Sequence, residues 1–326
     1  MLPQLDALEP RLPSPLQEVR DERFDGRGLR LLLKRDDLIH PELSGNKWRK
    51  LAPNLRTALT ERRSALLTFG GAYSNHLRAT AAAGRLLGLP TIGVVRGQEL
   101  ADRPLNPVLA RCRENGMRLH FVTRAEYRDR GTPELAAGLR ELFGRDVLVV
   151  PEGGSNAAAV HGCTALGAEL RGQADLAAVA CGTGGTLAGM AATGPPSLGF
   201  PVLRGDFLTS EVSGLQQAAF GAPRGDWRLV EGFHCGGYAR TTPELLAYAE
   251  DFEQRHGIAV ERIYVAKMLL GLTALAEAGR FAPGTALAAV VTGAPPPAPP
   301  APPTPSEPST PSTPPEPSTP PESPAH

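Results

Sequence analysis

The chemistry of this chain starts at a lysine where a turn hands over to a helix. In Ser44-Gly45-Asn46-Lys47-Trp48-Arg49-Lys50-Leu51, a turn-like Ser-Gly-Asn precedes a long helical pattern, and Lys47 stands at the junction. Neighbouring cations and burial lower the pKa of such an amine and free its lone pair for nucleophilic or base chemistry. Arg49 and Lys50 read as surface charges of the same helix. Far along the chain, Gly182-Thr183-Gly184-Gly185-Thr186 separates an apolar run from another helical pattern. Glycines let backbone N–H groups close on an anion, and the helix start adds partial positive charge. Thr183 and Thr186 add hydroxyl donors. No Gly-Lys-Ser/Thr occurs there, and no G-x-G-x-x-G follows a first strand, so nucleotide and dinucleotide loops are set aside. A plain strand-to-helix turn would need neither threonine, and the loop reads as a phosphate cup.

A third segment, Gly70-Gly71-Ala72-Tyr73-Ser74-Asn75-His76, ends an apolar run and opens an alanine-rich helix. Ser74 is placed to cap that helix, and the amides beside it suit a substrate carboxylate. His76 is a secondary candidate. A lysine amine, a separate phosphate cup and a carboxylate site are together what pyridoxal phosphate chemistry requires: the lysine forms the Schiff base and the loop holds the phosphate. Pro151-Glu152-Gly153-Gly154-Ser155-Asn156 also ends a strand and opens a helix at a cleft-lining position. Gly236-Gly237-Tyr238 and Ile263-Tyr264-Val265-Ala266-Lys267 each set a tyrosine beside a turn or helix start. Asp36 and Asp37, adjacent at a strand end, point apart and read as surface or capping residues.

These residues need a scaffold, and the pattern supplies one. Strands are expected at 29–33, 65–69, 91–95, 118–122, 147–150, 176–181, 201–203 and 286–292. Helices are expected at 47–62, 74–87, 107–115, 133–143, 156–170, from Thr186 onward, and at 213–220, 243–256 and 267–278. Strands alternating with helices predict an α/β fold of parallel sheets. The 326 residues are 41% hydrophobic, enough for one large or two medium domains. Thirty-four basic residues balance 34 acidic ones, so no net charge favours nucleic acid or an anionic membrane. Cys112, Cys163, Cys181 and Cys235 form no C-x-x-C pair and no metal-ligand spacing, which fits a reducing compartment. No signal-peptide pattern and no membrane-length apolar run is present, and a cytoplasmic location is expected. From Ala294 to His326 about half the residues are proline and none is aromatic, so this stretch is expected to be disordered and partly polyproline II.

Taken together, Lys34-Arg35-Asp36-Asp37-Leu38, Ser44 to Leu51, Thr68 to His76, Pro151 to Asn156, Gly182 to Gly189, Gly236-Gly237-Tyr238 and Tyr264 to Met268 resemble the 1-aminocyclopropane-1-carboxylate (ACC) deaminase / D-cysteine desulfhydrase family. The motifs run in the family's order across residues 13–293. The resemblance implies a two-domain, fold type II pyridoxal phosphate enzyme: residues 1–45 and 153–293 form a large cofactor domain and 46–152 a small α/β domain, ahead of the 294–326 tail. It implies that Lys47 carries the Schiff base, that Asn75 bonds the cofactor's ring hydroxyl, and that Ser74 with its amides takes the substrate carboxylate. It makes Gly182, Thr183, Gly184, Gly185 and Thr186 the phosphate cup, puts Tyr238 and Tyr264 beside a small amino-acid substrate, and leaves Thr292 to meet the ring nitrogen. Family members often form homodimers.

Two departures bear on the reaction. Ring-opening deaminases carry glutamate after the second tyrosine, and desulfhydrase-like members usually carry threonine; this chain has Val265, followed by Ala266 in place of glycine. The usual Thr-Gly-Gly near the end reads Thr292-Gly293-Ala294 and passes into the proline-rich tail. Without a carboxylate at the ring nitrogen the electron sink is weaker, and β-elimination of a thiolate demands less of it than opening a carbon ring. The expected reaction is D-cysteine desulfhydration to pyruvate, ammonia and sulfide. The alternatives are ACC ring opening and cofactor binding with little turnover.

Overall fold

Lys34 ends a strand whose three leucines are buried on both faces, and the rest of the large sheet is built on that strand. The computed structural model describes residues 3–43 and 45–293; Ser44 and the 294–326 tail lie outside the described residues. The first third of the chain runs α1 (Pro3–Asp6), β1 (Leu16–Val19), α2 (Glu22–Asp25), β2 (Arg30–Lys34), α3 (Lys47–Thr60), β3 (Ala65–Gly70), α4 (Asn75–Leu87) and β4 (Thr91–Arg96). The middle runs α5 (Pro107–Glu114), β5 (Arg118–Val122), α6 (Arg124–Arg128), α7 (Pro133–Phe143), β6 (Val147–Val150), α8 (Ala157–Leu170), β7 (Leu176–Cys181) and α9 (Gly185–Thr193). The last part runs β8 (Ser197–Pro201), α10 (Leu208–Phe220), β9 (Trp227–Leu229), α11 (Pro243–His256), α12 (Val265–Glu277) and β10 (Ala286–Val290).

Helix starts follow local chemistry. Asn106, Thr132 and Thr242 each accept a hydrogen bond from the backbone N–H three residues on, and a proline follows each of them. A short polar acceptor with proline at the next position satisfies orphan amides while fixing φ for the helix.

The strands form two sheets. One has the order β1-β2-β10-β7-β8-β9, with only β1 antiparallel to its neighbour; the other has the order β5-β4-β3-β6 and is parallel throughout. Every residue of β3, β8 and β10 is buried, as in parallel sheets covered by helices on both faces. The strand expected at 201–203 lies earlier, at Ser197–Pro201. Pro201 has no N–H to continue a ladder, so it closes the strand instead of opening it.

The β2–β10 pairing positions the lysine. It brings Asn46 N–H to the Thr292 carbonyl at 3.1 Å, so the start of α3 hangs on the end of β10. Gly45 makes the junction with φ +63°, and a Cβ there would lie 1.8 Å from the Thr292 oxygen. Only glycine meets both conditions.

A second close approach holds α3 against α8. Pro53 lies inside α3 and cannot donate to the Arg49 carbonyl. Gly162 of α8 packs on that freed carbonyl: a Cβ on it would sit 2.0 Å from the Arg49 oxygen and 2.9 Å from Pro53 Cγ. Gly162→Ala should therefore push the helices apart and destabilise the protein by about 1–3 kcal/mol, read as a lower unfolding midpoint in urea. An unchanged midpoint would mean the contact relaxes freely.

Candidate active site

A cavity of about 340 Å³ lies where the ends of β3, β7 and β10 meet the starts of α3, α4, α9 and α12. Lys47, Ser74, Asn75, the whole run from Gly182 to Thr186, Tyr238, Tyr264 and Thr292 all line it. Residues separated by most of the chain thus share one chamber.

Lys47 is half-buried, and its Nζ donates to Asn46 Oδ1 at 2.7 Å. Asn46 in turn donates through Nδ2 to Thr186 Oγ1 at 2.8 Å, tying the lysine to the glycine loop. Burial first, and then the Lys50 cation, pull the Lys47 amine down to about 7. A neutral amine is therefore abundant near physiological pH, as a nucleophile or base requires.

Lys50 is not the surface charge its helical position suggests. It is buried, because this face of α3 turns towards the Gly153–Ser155 turn and the glycine loop. Its Nζ donates to the Gly153 carbonyl at 3.0 Å, Ser155 Oγ at 2.8 Å and Thr183 Oγ1 at 3.4 Å. Burial lowers its pKa as well. Opposite it stands the N-terminus of α9, introduced by Gly184 at φ +75°. A Cβ on Gly185 would lie 2.8 Å from Ser155 Oγ and 3.1 Å from Lys50 Cε. A cation and a positive helix end converge here, and among the described residues no carboxylate pairs with Lys50. Like charges at this distance make sense around an anion.

Arg49, also read as a surface charge, is buried against Asp36, which is itself fully buried and not the surface or capping residue expected from its strand-end position. Both are drawn inward by a four-charge network. Arg49 donates to both oxygens of Asp36 at 2.8 and 2.9 Å and to both oxygens of Glu169 at 2.8 and 2.9 Å, while Lys34 pairs with Glu169 at 2.6 Å. The network braces α3 two residues beyond Lys47.

Ser74 caps α4, accepting from Leu77 N–H at 3.2 Å, and leaves the first amides of that helix beside the cavity. His76 is buried and structural in its bonding. Thr68 Oγ1 gives its proton to the Val150 carbonyl at 2.9 Å, so His76 Nε2–H donates to Thr68 at 2.8 Å and Nδ1 is a bare acceptor without a partner among the described residues. Burial, with Lys47 and Lys50 nearby, holds this ring neutral.

Tyr238 and Tyr264 meet edge to face, with centroids 6.1 Å apart, and burial raises the pKa of both, so their hydroxyls keep their protons. Tyr264 also packs on the bare Cα of Gly182: a Cβ there would be 3.3 Å from its ring. Lys267, fully buried on α12, donates to the Gly237 carbonyl at 2.8 Å and steadies the loop carrying Tyr238. Glu261, which the sequence reading passed over, lines the cavity and accepts from the amides of Ile263 at 2.7 Å and Tyr264 at 2.8 Å. An acid just ahead of a helix start is a recognisable sequence signal for such a role.

The comparisons with known proteins agree with this chemistry. A family model described as pyridoxal-phosphate dependent enzyme matches residues 9–194, and the chain belongs to that family. Within it, the chain is 30% identical over 277 residues to the mitochondrial bifunctional D-cysteine desulfhydrase/1-aminocyclopropane-1-carboxylate deaminase of Arabidopsis thaliana, covering 75% of this chain and 67% of that protein. It is 31% identical over 287 residues to the D-cysteine desulfhydrase of Klebsiella pneumoniae strain 342, covering 80% and 85%. The crystal structure of an ACC deaminase homologue superimposes with a TM-score of 0.73 at 27% identity, over 90% of this chain and 95% of that one. The architecture is that of fold type II, and the cofactor of the family is pyridoxal phosphate. The residues fit it: the cup between Lys50 and α9 suits a phosphate, and the amine of Lys47 suits the carbonyl.

The lowered pKa gives a test by pH. Cofactor capture by the apoprotein should speed up as pH rises through about 7, as the Lys47 amine becomes neutral, and level off above it. The rate at which visible absorption appears after mixing reads this directly. A rise continuing towards pH 10, the range of an ordinary lysine, would contradict the burial argument.

Proposed function

We propose that this chain is a lyase that eliminates a β-substituent from a small D-amino acid, in the manner of a D-cysteine desulfhydrase. The observation that carries the reading is the convergence of a near-neutral Lys47 amine, an anion cup with its own cation, and two protonated tyrosines in one cavity. The names of the Arabidopsis and Klebsiella relatives support it.

In this reading residues 1–45 and 153–293 act as a large domain, residues 46–152 as a small one, and substrate enters between them. Lys50, Gly182, Thr183, Gly184, Gly185 and Thr186 hold the phosphate, Asn75 the ring hydroxyl, Thr292 the ring nitrogen and Lys47 the carbonyl carbon. Ser74 and the first amides of α4 hold the substrate carboxylate. The bound cofactor supplies an electron sink that makes the α-proton removable. Lys47 takes that proton at Nζ. Tyr238 and Tyr264 keep water from the reacting face, and their hydroxyls donate to the departing sulfur. The released 2-aminoacrylate adds water and gives pyruvate and ammonia. Purified holoenzyme should therefore form pyruvate and sulfide from D-cysteine and little from L-cysteine. Absence of both products with D-cysteine would sink the proposal.

ACC ring opening is the second reading, favoured by the likeness to the Arabidopsis bifunctional protein and the deaminase homologue. Val265 argues against it: fully buried in the first turn of α12, it offers no proton acceptor. Val265→Glu should raise 2-oxobutanoate formation from ACC by about tenfold, because a carboxylate strengthens the electron sink. No increase in a folded, cofactor-loaded variant would remove the electronic argument.

No helix among the described residues is long and apolar enough to cross a membrane. A homodimer, which the family resemblance implies, and a cytoplasmic location, expected from the scattered cysteines, remain part of the proposal.

A further inference from the structure

A second cavity of about 630 Å³ opens beside the first and shares Gly71, Arg96, Arg130, Glu152 and Tyr238 with it. Its other charged residues are Glu99, Arg124 and Arg128, so four arginines face two carboxylates. Both carboxylates are taken. Glu152 pairs with Arg130 at 2.6 Å and accepts from Tyr127 Oη at 2.8 Å, and Glu99 pairs with Arg124 at 3.0 Å. Arg128 lines the second cavity and not the first.

Arg96 is different. It ends β4, lies on the boundary of both cavities, and has no carboxylate partner among the described residues. Its guanidinium sits over the Tyr127 ring, 5.8 Å from the centroid, and that ring is fixed by Glu152. Its Nη2 lies 3.7 Å from where a side chain on Gly71 would begin. Gly71 accepts from Ser74 N–H at 3.0 Å, so the cation stands against the turn that presents the carboxylate-binding helix start. The Arg96 cation thus stands beside the Gly71–Ser74 turn, on the boundary of both cavities.

We propose that Arg96 forms a subsite for an anionic group on the substrate's side chain, so that the enzyme prefers small amino acids ending in a carboxylate, sulfate ester or phosphate ester over neutral ones of the same shape. The location rests on the reading of Ser74 as the α-carboxylate site. Arg96 is a specificity residue: its guanidinium meets the second anion, and its planar fork suits an oxyanion with two acceptors.

The test uses a near-isosteric pair in which a carboxylate replaces a neutral amide. D-Aspartate and D-asparagine are titrated into wild-type holoenzyme, Arg96→Gln and Arg96→Lys, with binding read by calorimetry. D-Aspartate should bind about tenfold tighter than D-asparagine to wild type, the scale of one charge-assisted hydrogen bond. In Arg96→Gln that ratio should collapse to about one, and in Arg96→Lys it should stay above one. Equal binding of the two ligands to wild type overturns the subsite. So does a parallel loss for both ligands in Arg96→Gln, which would assign the guanidinium to the α-carboxylate. A surviving preference for D-aspartate in an enzyme that leaves D-cysteine unchanged would support the subsite while sinking the lyase reading, so the two proposals fail separately.

Discussion

Lys47→Ala enzyme should turn over D-cysteine at least about a thousandfold more slowly than wild type, because in the proposed mechanism one side chain serves as both the point of covalent attachment and the base. The rest of the cradle survives the change. Lys50, Ser155, Thr183 and the start of α9, the proposed anion cup, are held together without Lys47, so the variant should still bind pyridoxal phosphate, weakly and without the absorption band of the lysine adduct. Asn46 loses only the amine it accepts from and keeps its bond to Thr186. Steady-state pyruvate formation measures the first expectation, and dialysis against buffer with absorption read afterwards measures the second. A variant within tenfold of wild type would show that another group removes the α-proton. Added methylamine should restore part of the rate, since a free amine can enter the space the side chain leaves.

The second large effect is on stability. Asp36→Ala should destabilise the protein by about 3–5 kcal/mol, the usual loss when one member of a buried ion pair is removed. Asp36 is fully buried, and Arg49 donates to both its oxygens. Ser14 Oγ adds a bond to Asp36 at 2.7 Å, and Lys34 Nζ donates to the Ser14 carbonyl at 2.6 Å. The set is balanced, with Lys34 and Arg49 against Asp36 and Glu169. Burial opposes the charged forms of Arg49 and Glu169, but Asp36 and Glu169 outweigh it for Arg49, and Arg49 and Lys34 outweigh it for Glu169: Arg49 is held well above its ordinary pKa and Glu169 below its own. Removing Asp36 leaves a net buried positive charge and an unpaired Nε. Urea unfolding measures the effect, and a loss below about 1 kcal/mol would mean water already reaches the network. Asp36→Leu combined with Arg49→Met should lose less than the two single changes added together, because the pair's desolvation disappears with it.

The framework was legible in the sequence wherever apolar runs and punctuation agree. The strands at 118–122, 147–150 and 176–181 and the helices at 133–143 and 243–256 fall on the expected residues, because Gly, Pro or a Thr-Pro start marks their limits. β1 and β9 escaped notice for a physical reason. Both are short edge strands: Leu16–Val19 buries only its last residue, and none of the three residues of Trp227–Leu229 is fully buried. The motif residues could be found because glycine turns and helix starts advertise themselves. Lys50, Arg49 and Asp36 could not be read correctly, because what decides their burial is distant in sequence. Glu169 lies 120 positions beyond Arg49, and Ser155 lies 105 beyond Lys50. A helix pattern shows which residues share a face but not what will cover that face.

The place of β10 also bears on how the molecule is made. This late strand lies between β2, near the start of the chain, and β7, so the large sheet has a gap at its middle until the last described stretch leaves the ribosome. The junction before Lys47 rests on the Thr292 carbonyl at the end of that same stretch. A nascent chain truncated before β10 would expose the flanks of β2 and β7 and present its lysine on an unanchored turn. Pairings this far apart close slowly and leave strand edges open to wrong partners while they wait. Competence to take up cofactor is therefore acquired only once β10 has been made, rather than domain by domain along the way.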